Sequence, residues 1–76
     1  MPTFKFIVDD EEYTTTEHTL TPRQILELVG LDAAKHYLVE LQGNHPISFQ
    51  SKPEETLHMH QQMKFHTVSL GPTPVS

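Results

Sequence analysis

The sequence has 76 residues, of which ten are acidic and five are basic, and its formal net charge is −5 with neutral histidines. The few lysines and the single arginine are scattered, which argues against nucleic acids and anionic lipids as partners, because both require clustered positive charge. The sequence contains no cysteine, which excludes a disulfide, a thiolate metal site and a cysteine nucleophile.

The first predicted element is a β-hairpin. Residues 3–8 (TFKFIV) alternate, with two phenylalanines and a valine on one side, as in a half-buried strand. Residues 9–12 (DDEE) predict an acidic exposed turn; a calcium loop would need more widely spaced ligands and a glycine. Residues 13–16 (YTTT) are aromatic and β-branched, so we expect them to pair back as the second strand.

The next segment carries the signals of a helix start. Thr21 is the expected N-cap, Pro22 suits the first helical position, and Gln24 lies where it can reach back to the N–H of the cap. Gly30 is placed to end the helix in a left-handed conformation. Apolar residues at helical spacing predict a stripe that faces the core, formed by Ile25, Leu28 and Val29, with Leu26 beside it.

Three further strands are predicted after the helix. Residues 37–41 (YLVEL) form one, residues 47–49 (ISF) form a short edge strand after Pro46, and residues 63–70 (MKFHTVSL) form the last. The last strand has two sets of alternating residues, and the larger apolar side chain of Phe65 favours the set that contains it as the inward one.

The order of these elements predicts the fold class. The first and last strands are the most apolar, so we expect them to lie side by side, parallel and inside the sheet, with the one main helix across a face. The prediction is an α+β β-grasp domain over residues 1–70, with a mixed four- to five-stranded sheet, and this order of elements resembles that of ubiquitin-like domains. Residues 71–76 (GPTPVS) are expected to be a flexible tail, since Pro72 and Pro74 have no N–H for a sheet.

Four segments of the sequence also support a resemblance to a known family. They are residues 4–9 (FKFIVD), residues 20–26 (LTPRQIL) with Gly30, residues 37–40 (YLVE) with Gly43, and residues 64–67 (KFHT). In this order and at this length, the chain resembles the bacterial multi-ubiquitin domain family of ubiquitin-like modifiers. The resemblance covers residues 3–70.

The resemblance implies a protein modifier and not an enzyme, and it implies no cofactor. In such proteins the C-terminal carboxylate is adenylated, passed to a thiol and transferred to an amine or hydroxyl of a target protein. The implied partners are an activating enzyme, a conjugating enzyme, a processing protease and the target. The N-terminus lacks the pattern of a signal peptide and no apolar run approaches the ~20 residues that span a bilayer, so the expected location is cytoplasmic, with no membrane partner.

The resemblance also implies the candidate site residues. Gly71 is the candidate conjugation or processing position, reached either after a protease removes residues 72–76 or with the tail uncut. His66, Val68 and Leu70 on the last strand are the candidate partner-binding residues. Glu40 is expected near the position where ubiquitin has an apolar patch, which predicts dedicated partners for this chain.

Two other functions with the same fold remain open. A non-conjugating interaction module would pair a partner with an edge strand, either residues 47–49 or the second strand. A sulfur carrier would end in a thiocarboxylate, and such carriers normally have an exposed Gly-Gly end, which is missing here.

The histidines raise the question of a metal site. His58 and His60 lie two residues apart, on the same side of an extended chain, and a closed site would need a third ligand such as His45 or His66. We favour exposed or hydrogen-bonded histidines and predict no metal. No motif groups a nucleophile with a base, so the sequence predicts no enzymatic activity.

Overall fold

Five strands form one mixed sheet in the computed structural model, which describes residues 2–70. The elements in chain order are β1 (Phe4–Val8), β2 (Glu11–Thr15), β3 (Thr19–Leu20), α1 (Pro22–Leu28), β4 (His36–Gln42), β5 (His45–Ser48), β6 (Leu57–His58) and β7 (Met63–Ser69). The main sheet has the order β2-β1-β7-β4-β5, in which β1 and β7 are parallel and the other pairs are antiparallel. This is a β-grasp-like α+β fold, as predicted, including the parallel pair inside the sheet. The predicted tail, residues 71–76, lies outside the described residues.

The hairpin turn between β1 and β2 is shorter than predicted. Asp9 and Asp10 both have positive φ, at 52° and 68°, and Val8 pairs with Glu11 directly after them. A two-residue turn with positive φ at both positions matches the right-handed twist of the strands it joins. Glu11 and Glu12 therefore belong to β2, and the prediction that they lie in the turn was wrong.

The start of α1 has the predicted cap. The Thr21 hydroxyl accepts a hydrogen bond from the Gln24 N–H at 3.2 Å, and the Gln24 side chain accepts one from the Thr21 N–H at 2.9 Å. These bonds satisfy the N–H groups that have no partner within the helix. Gly30 follows the helix with φ +87°, as the sequence predicts for a residue that stops it.

The buried face of α1 differs from the predicted stripe. Ile25 and Leu26 are fully buried together with Pro22, whereas Leu28 is 43% exposed. The helix has seven residues, so its buried face contains one set of residues spaced three and four positions apart. That set is Pro22 with Ile25 and Leu26. The prediction of Leu28 as a core residue was wrong.

The core lies between α1 and one face of the main sheet. In β7 the inward residues Met63 and Phe65 are buried, as predicted, and the Phe65 ring meets the Phe6 ring edge to face at 6.2 Å. The small antiparallel sheet of β3 and β6, which the sequence did not predict, adds two more leucines to this core. The apolar residues of the core cluster are Phe6, Val8, Leu20, Ile25, Leu26, Leu38, Phe49, Leu57, Met59, Met63 and Phe65.

The edge strand β5 begins earlier than predicted. It includes Pro46, which pairs with Leu41; proline is tolerated at a sheet edge because its missing N–H can point to solvent. Phe49 leaves the strand and turns into the core, and its N–H donates to the Leu38 carbonyl at 2.9 Å.

Candidate partner-binding surface

The face of the main sheet opposite to α1 carries a group of apolar and aromatic side chains. The register pairs Val39 with His66 and Tyr37 with Val68, and residues paired in this way point to the same side of a sheet. Lys64 lies between Ile7 and Leu41 and is paired with both, so all three are on the same side of the sheet as His66. We call this set the outer sheet surface, and it consists of Ile7, Tyr37, Val39, Leu41, His66 and Val68.

The outer sheet surface remains partly accessible. Five of its six residues are half-buried by their neighbours, and Val39 at its centre is 6% exposed. Val39 is buried without being part of the core cluster, as expected for a residue on the far side of the sheet. Of the elements within residues 2–70, none lies over this face. A sheet face with partly accessible apolar side chains is a candidate surface for binding another protein.

The expected position of Glu40 was wrong. Glu40 pairs with Phe65 and Ile47, whereas its neighbour Val39 pairs with His66. Side chains alternate along a strand, so Val39 is on the outer sheet surface and Glu40 is on the other face. The charge that was expected to interrupt an apolar patch is therefore absent from the centre of this surface.

Charged residues lie at one end of the outer sheet surface. A shallow pocket of about 250 Å³ is formed there by Ile7, Leu41 and His66, with Lys64 and the Asp9-Asp10 turn around it. The pocket thus combines an apolar floor with charges of both signs. A polar rim around an apolar centre is the usual composition of a protein–protein interface.

The other end of the surface leads to the C-terminal segment. Leu70 follows β7, its N–H donates to the Lys35 carbonyl at 2.7 Å, and its side chain is 44% exposed. This hydrogen bond continues the pairing of β7 with the start of β4 by one step. Leu70 is the last described residue, and the predicted conjugation position, Gly71, lies outside the described residues.

The structure brings two of the three predicted partner-binding residues together. His66 and Val68 are neighbours on the outer sheet surface, and Leu70 lies at its end. Val39, Tyr37 and the other members of this surface were not predicted from the sequence. The signal was present in the YLVEL run, because a strand that is apolar at almost every position presents apolar side chains on both faces.

The two closely spaced histidines lie away from the outer sheet surface. His58 and His60 line a second shallow pocket, of about 200 Å³, together with Glu40, Gln42 and Met63. Within the described part of the chain, no three histidine or acidic side chains are placed so that they could hold a metal ion together.

The comparisons with known proteins do not assign this chain to a family. No family model matches the chain, and searches of curated proteins and of solved structures returned no significant match. Among the residues that the structure describes, no helix has the length and apolar character needed to cross a bilayer.

Proposed function

We propose that this protein is a ubiquitin-like modifier of a bacterial conjugation pathway. Its C-terminal carboxylate would be activated by an activating enzyme, passed to a conjugating enzyme and transferred to a target protein, and a protease would remove residues 72–76 if Gly71 is the reacting end. The modifier supplies a carboxylate and a docking surface and performs no chemistry itself. The resemblance of residues 3–70 to this family is the starting point of the proposal.

The observation that carries the proposal is the position of β7. This strand runs through the middle of the main sheet, presents His66 and Val68 on the outer sheet surface, and is followed by the exposed Leu70, which directly precedes Gly71. An enzyme that binds the outer sheet surface would therefore have the start of the C-terminal segment within its reach. A glycine at the start of that segment permits close approach of the backbone, because it has no Cβ.

The modifier proposal is tested by intact-mass measurement. Three forms are compared, namely the 76-residue chain, a chain that ends at Gly71 and a chain that ends at Leu70. Each is incubated with ATP and the activating enzyme of its host, and the protein isolated from the host is measured as well. We expect an adenylate or thioester on the full or the Gly71-ended chain and none on the Leu70-ended chain. Unmodified mass for all three forms would overturn the proposal.

A second candidate is a binding module that never conjugates. It is favoured by the outer sheet surface itself, which is apolar at its centre and uncovered by the described elements. In this case the chain that ends at Leu70 would bind its partner as tightly as the full chain. Co-purification of one partner with both forms, without any covalent adduct, would select this function over the modifier.

A third function with the same fold is a sulfur carrier. The carboxylate would then become a thiocarboxylate, and the mass of the protein from its host would rise by the exchange of one oxygen for sulfur. The chain has no Gly-Gly pair, so we rank this function below the other two. The same mass measurement separates it from an adenylate or a thioester.

A further inference from the structure

Among residues 2–70, no cationic side chain pairs with the nearly buried carboxylate of Glu40. The residue is 8% exposed, and its Oε2 accepts a hydrogen bond at 3.1 Å from the neutral side-chain amide of Gln42. The ion pairs of the described residues join Lys5 to Glu12 and Arg23 to Glu54, so neither of them involves Glu40. Buried acidic side chains are rare unless they are paired, which makes this arrangement unusual.

Glu40 lines a shallow pocket that has both polar and apolar residues around it. The pocket has a volume of about 200 Å³ and is open to solvent at the surface. Its polar lining residues besides Glu40 are Gln42, Thr56, His58 and His60, and Leu57 and Met63 are the apolar ones. The side chains of Glu, Gln and neutral His all contain hydrogen-bond acceptors, so residues that can accept from a cationic donor are grouped around this pocket.

From this geometry we infer that the pocket binds an arginine side chain of a partner protein. The guanidinium has several donors in a fixed plane and would pair with the carboxylate and the neighbouring acceptors. The aliphatic stem of arginine would pack on Leu57 and Met63, as such stems do on apolar surfaces. The bound cation would supply the partner that Glu40 lacks within residues 2–70.

This pocket is separate from the outer sheet surface. Glu40 points to the opposite face of the sheet from Val39, and it lies toward the end of β4 that is far from Leu70. From the strand rise of ~3.3 Å per residue, Glu40 is on the order of 13 Å along β4 from the end that leads to the C-terminal segment. The inference therefore does not depend on the proposed function, and a partner could occupy both sites only by wrapping around the sheet edge.

The test uses blocked amino acids as probes. The folded 76-residue protein is titrated with N-acetyl-arginine amide near neutral pH, and binding is followed by NMR of the backbone amides and of the histidine rings. We expect saturable shifts at Gln42, His58 and His60, with an affinity in the millimolar range. N-acetyl-citrulline amide has nearly the same shape without the charge, and we expect it to cause no saturable shift at these residues.

Variants of Glu40 and of an exposed glutamate complete the test. Glu40→Gln should weaken binding of the arginine probe by about tenfold or more, because the charged hydrogen bonds are lost. Glu27→Gln, on the exposed side of α1, removes the same net charge and should leave the affinity unchanged. N-acetyl-lysine amide is a third probe, which has the charge without the planar guanidinium. The inference is wrong if the citrulline probe produces the same shifts, if the lysine probe binds as tightly as the arginine probe, or if Glu40→Gln binds the arginine probe as well as the parent does.

Thermal unfolding gives an independent readout. Glu40→Gln should raise the melting temperature of the free protein, because it removes a nearly buried carboxylate that has no cationic partner within residues 2–70, while Glu27→Gln should not. A lower melting temperature for Glu40→Gln than for the parent would show that the carboxylate already has a stabilising role in the free protein, and this would overturn the inference.

Discussion

Asp9 in the first hairpin turn binds Thr67 in the last strand through both of its carboxylate oxygens. The Thr67 N–H donates to Oδ1 at 3.0 Å and the Thr67 hydroxyl donates to Oδ2 at 2.6 Å. The Asp9 N–H in turn donates to the Phe65 carbonyl at 3.1 Å. One residue therefore forms half of the turn between β1 and β2 and extends the parallel contact of β1 with β7.

Replacing Asp9 separates these two roles. Asp9→Gly keeps the positive φ but loses both side-chain hydrogen bonds, so we expect it to lower the free energy of unfolding by about 1–2 kcal/mol. Asp9→Ala loses the same hydrogen bonds but keeps a Cβ at φ +52°, so it should be about 1 kcal/mol less stable than Asp9→Gly. Urea unfolding measures both changes.

A double-mutant cycle with Thr67 provides the control. Thr67→Val removes the hydroxyl and should cost about 1 kcal/mol in the parent and close to nothing in the Asp9→Gly variant, because the acceptor is already gone. Equal costs in the two backgrounds would mean that the hydrogen bond from the Thr67 hydroxyl to Asp9 does not contribute to stability.

Asp10 offers a stabilising substitution in the same turn. Its φ is +68°, and glycine adopts this conformation without strain, so Asp10→Gly creates the Asp-Gly pair that such two-residue turns prefer. We expect a gain of about 0.5–1 kcal/mol in the free energy of unfolding. Asp10→Ala is the matched comparison and should be less stable than the parent; a more stable alanine variant would contradict the turn geometry.

The elements that the sequence predicted well are those with a repeated or paired signal. β1 and β7 alternate over several residues, and the Thr21–Gln24 cap joins two side chains at a fixed spacing, so local rules were sufficient for them. The strands β3 and β6 have two residues each, which is too short for any period, and they form only because Leu20 and Leu57 meet in the core.

The candidate surface was harder to predict for a similar reason. His66 and Val68 were identified on one strand, but the surface also needs residues from β1 and β4, and the register between strands comes from tertiary pairing. A shift of one residue decides whether Val39 or Glu40 lies beside His66. The register of β4 with β7 settles this in favour of Val39. The YLVEL run indicates apolar residues on both faces of the strand, but it does not tell which of them lies beside His66.

Alanine substitutions test which side of α1 is buried. Ile25 is fully buried and Leu28 is 43% exposed. Ile25→Ala should cost about 2–5 kcal/mol, because it leaves a cavity in the core, and Leu28→Ala should cost less than about 1 kcal/mol. Thermal and urea unfolding measure both. Similar costs for the two variants would support the stripe that the sequence predicted and contradict the observed orientation of α1.

The cap of α1 should be a measurable part of the stability of the domain. Thr21→Ala removes the acceptor for the Gln24 N–H, and we expect a loss of about 1 kcal/mol. Thr21→Ser keeps the hydroxyl and is the matched control, with little change expected. If the serine variant is as unstable as the alanine variant, the effect comes from the lost methyl group and not from the cap.

A charge on the outer sheet surface tests whether partners bind there, and this prediction rests on the proposed function. Val68→Glu places a carboxylate beside Tyr37, where a partner would have to desolvate it, so we expect the rate of adduct formation with the activating enzyme to fall at least about tenfold. Leu28→Glu makes the same type of change on the exposed side of α1 and should leave the rate unchanged. Circular dichroism verifies that both variants are folded. Equal rates for Val68→Glu and the parent would place the docking site of the activating enzyme elsewhere on the domain.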